Sequence, residues 1–370
     1  MTTRTRGNLQ IARITMLYFR REQLAATRRV VLLLATVTAY AALILTPAAA
    51  APLDGMTCSS LAFVPVGDAG NAGELSGAGA GGVGPDRICG GVSYAYEMQR
   101  CEVTAAEYVG FLNAVGANDL YGLYSPEMFS HAYGCRIERS GVPGGYSYSV
   151  ADDWRDRPVN FVNWGDAARF ANWLANGQPT GAQGPGTTED GSYTLNGAMS
   201  DAELGAVVRN PGASYVIPSE DEWYKAAYFR TGTLGDSYWS YPTRSNEAPD
   251  NRLLNPDPGN NANFYDLGYT LGFPYFRNVV GAFHNSPSGY GTFDQGGNVK
   301  EWTEGVIWET QRCVRGGSCF YGIEDLHANK RIGILPSYSD NDLGFRVALA
   351  PEPTAALLLL LGAAAVRRRG

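Results

Sequence analysis

Apolar positions recur at helical spacing in three places, each behind a start signal. Thr104-Ala105-Ala106-Glu107 has the form of a capping box, and Tyr108, Phe111, Leu112 and Val115 follow on one face. Asn163-Trp164-Gly165-Asp166 is a looser version, followed by Ala167, Phe170, Ala171 and Leu174 and stopped near Gly177. Ser219-Glu220-Asp221-Glu222 is a third, with Trp223, Ala226 and Ala227 behind it. Short runs of strand character are predicted at 63–66, 92–96, 146–150, 215–217 and 343–349. Three stretches rich in turn residues, 67–84, 177–191 and 246–263, read as surface loops. These are few regular elements for residues 51–350. The core must then rely on aromatics and on side-chain hydrogen bonds to irregular backbone.

The two ends carry a different pattern. Arg28 and Arg29 precede an apolar run over 30–45, and Pro47 with the alanines at 48–51 follows it. This is the layout of an export signal over residues 1–50, with an uncleaved anchor as the other reading. The stretch before the run is long, and Met16 offers an alternative start. At the other end Pro351-Glu352-Pro353 leads into an Ala/Leu segment over 354–366 and then Arg367-Arg368-Arg369. This three-part tail, 351–370, resembles the PEP-CTERM sorting signal read by a membrane exosortase. The resemblance implies an exported protein, transiently membrane-anchored through its C-terminal segment and destined for the envelope or the exterior.

Charge sharpens this division. The net −7 of the whole chain combines +6 in residues 1–50, −15 in 51–350 and +2 in the last twenty. A body that acidic repels phosphate backbones, so no nucleic-acid partner is expected. Hydrophobic content of 45% excludes a disordered chain. The GAGAGG run at 77–82 has no strand leading directly into it and no helix after it, so it is not read as a phosphate cradle. Six cysteines (58, 89, 101, 135, 313 and 319) permit up to three disulfides in an oxidising compartment. Cys313 and Cys319 could pair only if the chain reverses at Gly316-Gly317.

In order along the body stand Cys101-Glu102-Val103-Thr104, Pro158-Val159-Asn160-Phe161-Val162-Asn163-Trp164, Ile217-Pro218-Ser219-Glu220-Asp221-Glu222-Trp223, Gly296-Gly297-Asn298-Val299-Lys300-Glu301-Trp302, Arg315-Gly316-Gly317-Ser318 and Leu343-Gly344-Phe345-Arg346. This series resembles the sulfatase-modifying-factor family, the formylglycine-generating enzymes and their relatives, from about residue 62 to 350. The resemblance implies an α+β fold: a single irregular, loop-rich domain, a variant of the C-type-lectin fold.

Catalytic members of that family carry two cysteines three and eight residues after the serine of RGGS, and this pair binds copper(I) to oxidise a substrate cysteine. Those positions are Tyr321 and Leu326 here, while Cys319 follows Ser318 directly. Copper(I) needs soft thiolates, so copper chemistry is not expected. No pair among His131, His284 and His327 has helical metal-ligand spacing. The family resemblance also implies calcium, held by the side chains of Asp294 and Glu301 with the carbonyls of Gly297 and Val299. A second site would use Asn263 and the Phe264 carbonyl, with Asp266 as a candidate acid. Lys300 replaces the family's usual Trp and brings a cation close by.

The expectation is an exported, non-catalytic domain that binds a polysaccharide or envelope protein, with calcium in a structural role. Tyr121, Tyr124, Trp239, Tyr241, Tyr265, Tyr269 and Tyr275 are candidate stacking residues. The alternatives are a copper-dependent oxidoreductase with relocated cysteines and an inactive partner that holds sulfatases.

Overall fold

The computed structural model describes Cys58 and residues 61–232 and 237–351. The expected export segment over 1–50, and the sorting segment apart from Pro351, lie outside the described residues. Among those described, no helix is long and apolar enough to cross a membrane.

Two four-stranded sheets and five helices make the frame. One sheet runs β1 (Phe63–Val66), β4 (Tyr96–Gln99), β12 (Ala348–Leu349), β7 (Tyr215–Val216), antiparallel throughout. The other runs β10 (Ile332–Ile334), β9 (Gln311–Arg315), β8 (Lys300–Ile307), β11 (Leu343–Gly344), with β11 parallel to β8. Two separate hairpins pair β2 (Glu74–Ser76) with β3 (Arg87–Cys89) and β5 (Ile137–Ser140) with β6 (Ser147–Val150).

The helices are α1 (Ala105–Val115), α2 (Glu127–Ser130), α3 (Trp164–Ala175), α4 (Asp201–Ala206) and α5 (Glu220–Tyr228). All three expected capping boxes form, each with both reciprocal hydrogen bonds, and Ser200 with Glu203 makes a fourth at α4. Two orphan donors are satisfied at each of these helix starts. Trp164 and Trp223, in the first turns of α3 and α5, are fully buried.

Expected strands differ from observed ones in two places. The strand foreseen at 92–96 begins at Tyr96, because its pairing with β1 sets Val66 opposite Tyr96 and Phe63 opposite Gln99. The single strand expected over 343–349 is two short ones in different sheets. Between them Phe345 packs edge-on against Phe170 of α3 and Tyr108 of α1, at centroid distances of 5.3 and 6.4 Å. Arg346, next in sequence, reaches instead into a polar cluster at the head of β8. The two-residue side-chain period of extended chain puts these neighbours on opposite sides.

Candidate functional site

The head of β8 gathers three of the motifs. Glu301 is fully buried, and both its oxygens are engaged: Arg346 donates from Nε to Oε2 (2.6 Å) and from Nη2 to Oε1 (2.7 Å). The indole Nε1 of Trp223 also donates to Oε2, at 2.7 Å. Arg346 further donates to the carbonyls of Gln99, Arg100 and Phe293. One guanidinium thus ties together β4, the 293 loop, β8 and the C-terminal strand. Such a bidentate pair gives geometry as well as energy.

Beside it lies a carboxylate of opposite character. Glu102 is buried, yet neither of its oxygens has a hydrogen-bond partner. Burial first, then the nearby Asp294 and Glu301, push its pKa well above the usual carboxylate value. Asp294 accepts hydrogen bonds from the Gly281 N–H (2.5 Å) and, at a long 3.5 Å, from Asn278 Nδ2. Burial raises its pKa to about 6. The Asn278 amide oxygen, also buried, lacks a donor.

The residues expected to hold calcium are thus partly rearranged. Asn263 and Gly297 do meet: their backbones form a bridge, and a β-carbon on Gly297, at φ +87°, would sit 2.1 Å from the Asn263 carbonyl oxygen. The Asn263 carbonyl accepts the Asn298 N–H at 2.8 Å, and its side chain donates to Asn298 Oδ1 and the Phe276 carbonyl. The Phe264 carbonyl accepts from Asn251 Nδ2, Val299 is fully buried, and Asp266 is exposed. Lys300 is committed to Asp342 Oδ2 at 3.1 Å and to the Tyr321 ring at 4.6 Å.

Among the described residues no three His, Cys, Asp or Glu side chains converge as a metal cluster. Next to the Asp294 carboxylate, the oxygens of Glu102 and the amide oxygen of Asn278 are left without partners, and so is the side-chain oxygen of Asn263, one of the expected ligands. Two carboxylates with amide and carbonyl oxygens suit a hard cation rather than a soft one. Glu301, already held by Arg346, is less suited to the role than Glu102. Glu102 stood in the sequence inside the Cys101-Glu102-Val103-Thr104 motif, where only the adjoining capping box was read.

The thiols do not recreate a copper centre at the family positions. Tyr321 is 45% exposed, and Leu326 is fully buried against Ala262 and Phe264. Cys89, Cys135, Cys313 and Cys319 are free and buried, and the one disulfide among the described residues joins Cys58 to Cys101. The chain does turn at Gly316 and Gly317, at φ +95° and +66°, but the cysteines on either side stay unbonded. Burial pushes the Cys319 thiol up to about 12. Cys313 and Cys89 adjoin the same Glu220 oxygen, at 3.3 and 3.7 Å, under the guanidinium groups of Arg315 and Arg331.

Around Tyr321 the surface is aromatic. The Tyr265 N–H donates to the Tyr321 carbonyl at 2.9 Å, which joins two loops. Tyr265 stacks edge-on with Tyr269 (5.1 Å), and Tyr269 in turn meets Phe276 (4.9 Å) and Phe320 (5.9 Å). Tyr133 closes the group against Phe276 and Phe320. Tyr265, Tyr269 and Tyr321 are each more than 40% exposed.

Of the seven aromatics singled out from sequence, only Tyr265 and Tyr269 belong here. Tyr124 is buried, Tyr121 lies under Arg169, Tyr275 under Arg157, and Trp239 under Arg230, while Tyr241 packs on His327. Tyr321 was legible only as a missing cysteine.

This fold and these motifs place the chain in a known class. The chain belongs to the sulfatase-modifying factor enzyme 1-like domain family, whose model matches residues 91–351. It is similar in structure to Treponema denticola variable protein 1, at 20% identity over 80% of this chain and 98% of that one, with a TM-score of 0.48. It is also similar to CarF (20% identity, 79% and 99%, TM-score 0.46) and to PvdO from Pseudomonas aeruginosa (19%, 78% and 94%, 0.43). No curated protein sequence matches the chain.

Proposed function

We propose that this protein is an exported, non-catalytic binding module of the cell envelope, and that its ligand is a polysaccharide engaged by the rings around Tyr321. The supporting observation is what fills the two positions that carry copper-binding cysteines in catalytic relatives. An exposed tyrosine ring stands at one, and a leucine sealed in the core at the other. Loops displayed on a stable frame are where binding residues concentrate. The Lys300 ammonium over the Tyr321 ring is paired with Asp342, so these tyrosine faces suit neutral sugar rings, which stack on them through their C–H faces.

Export through the first fifty residues and exosortase-type processing of the last twenty belong to the same reading. Calcium has a structural place in it, held by Glu102 and Asp294 with the Asn278 amide oxygen. It would neutralise two buried carboxylates that otherwise repel each other. A binding screen of the full chain against glycans and envelope extract tests the proposal. Retention of neutral polysaccharide, lost on Tyr265→Ala or Tyr321→Ala, is expected. Capture of protein alone would replace it with the partner-holding reading.

A further inference from the structure

The acids of the candidate cation site are built on the Cys58–Cys101 disulfide. Cys101 immediately precedes Glu102, and Phe293 immediately precedes Asp294. Cys58, Cys101, Val280 and Phe293 pack as one small apolar group, in which Cys101, Val280 and Phe293 are buried. The Phe293 N–H donates to the Arg100 carbonyl at 2.7 Å, so the segments that carry the two acids are joined beside the sulfurs.

The turn at 278–281 belongs to the same arrangement. Asn278, whose amide oxygen is unpartnered, reaches Asp294 Oδ1 only at a long 3.5 Å, whereas the Gly281 N–H holds Asp294 Oδ2 at 2.5 Å. Gly281 lies directly against the disulfide. A β-carbon there would sit 2.5 Å from Cys58 Sγ and 3.7 Å from Cys101 Sγ. Its φ of +73° is a second reason for glycine at this position. The backbone of residue 281 is thus bonded to the acid and backed by the sulfurs.

Each group expected to face the cation is therefore one to three residues from a contact with the disulfide. Cys58 and Cys101 are 43 residues apart in sequence, so nothing local keeps them together once the bond is open. Opening it frees Cys58 from Cys101 and removes the backing of Gly281. Glu102 and Asp294 then repel each other with less to hold Asp294 in place. Oxygen ligands bind a hard cation well only when a supporting layer fixes them.

We infer that the Cys58–Cys101 disulfide is a positioning element of the cation site, which is complete only in the oxidised protein. The inference rests on the calcium reading of this cluster and adds its regulation: uptake follows oxidation, in the compartment reached by export. Closing the bond takes two electrons and two protons from the two thiols and passes them to a disulfide oxidant, which leaves as a dithiol. Coupling of this kind is reciprocal. Calcium protects the disulfide against reduction by the same factor by which oxidation tightens calcium binding.

Isothermal titration calorimetry of calcium into the full chain tests this, with the protein oxidised, reduced by a phosphine, and as Cys58→Ser. Alkylation and mass spectrometry report the state of the bond, and near-UV circular dichroism checks that each sample is folded. Calcium should bind the oxidised protein, and at least about tenfold more weakly the reduced protein and Cys58→Ser. A second readout needs no variant: in a thiol–disulfide buffer, calcium should shift the wild-type equilibrium by the same tenfold, about 30 mV for a two-electron couple. A disulfide with only a structural role would lower the thermal midpoint and leave both the affinity and the redox equilibrium unchanged. That result overturns the inference and leaves the calcium reading standing. No binding to the oxidised protein, or binding that survives Asp294→Asn, removes the calcium reading and this inference with it.

Discussion

Replacing Arg346 by Met should be among the most damaging single changes in this domain. The guanidinium satisfies both oxygens of Glu301 and three backbone carbonyls, and both side chains are fully buried. In its absence Glu301 keeps only the Trp223 indole donor while lying near the carboxylates of Glu102 and Asp294. Breaking a buried ion pair from one side costs about 3–5 kcal/mol. The carbonyls at 99 and 293 lose this donor and add up to about 1 kcal/mol each, without strict additivity, whereas the Arg100 carbonyl keeps the Phe293 N–H at 2.7 Å. Against a total stability of about 5–15 kcal/mol, that is a third of the total or more. For a domain this large it corresponds to about 10 °C in Tm.

Urea unfolding followed by near-UV circular dichroism measures the loss, provided the m-value stays constant. Arg346→Met with Glu301→Gln should recover the part due to the unpaired charge but not the part due to the carbonyls. A loss under about 1 kcal/mol in the single variant, or a double variant no better than the single one, would refute this picture of the knot.

Two further outcomes follow from the buried carboxyls. Chelation should lower the thermal midpoint of the wild type, and Glu102→Gln or Asp294→Asn should abolish that response; with chelator present, Glu102→Gln should be the more stable protein, because a buried acid without partners has been removed. Differential scanning calorimetry with and without calcium reads both signs. Asp166, at the third position of α3, has its pKa raised to about 8 by burial. An acid raised above its unfolded value of about 3.9 contributes stability in full below that value and loses it as pH rises towards 8. The wild type should therefore lose stability between about pH 4 and 8, and Asp166→Asn, which keeps an acceptor for the Asn163 N–H, should flatten that slope in urea titrations.

The helix starts were legible because capping is local: four residues carry the whole signal, and all three boxes read from sequence form. The fourth, Ser200-Asp201-Ala202-Glu203, was equally visible but lacked a long apolar run behind it. The β8–β9 hairpin was not legible. Lys300, Glu301 and Thr303 are buried on β8, so the strand reads as polar although it lies inside. Its polar groups are satisfied by Asp342, Arg346 and the Cys313 carbonyl, all distant in sequence or on another strand. The 343–349 segment failed for a related reason. It has strand character throughout, but tertiary packing divides it between two sheets. At the candidate sites Asp294 and Glu301 were found by motif and Glu102 was not. The pairing of Glu301 with Arg346, 45 residues on, and the isolation of Glu102 beside Asp294 and Glu301, almost 200 residues on, appear only when those segments meet.

The most direct test of the central claim is a side-by-side assay of the purified full chain for copper-dependent oxidation and for glycan retention. Copper(I) and oxygen are supplied with a cysteine-containing sulfatase peptide in one arm, and immobilised neutral polysaccharide in the other. The expected result is no aldehyde product, together with polysaccharide retention that falls about tenfold or more on Tyr321→Ala. Aldehyde formation that is lost on Cys89→Ser or Cys313→Ser, with no glycan retained, would contradict it.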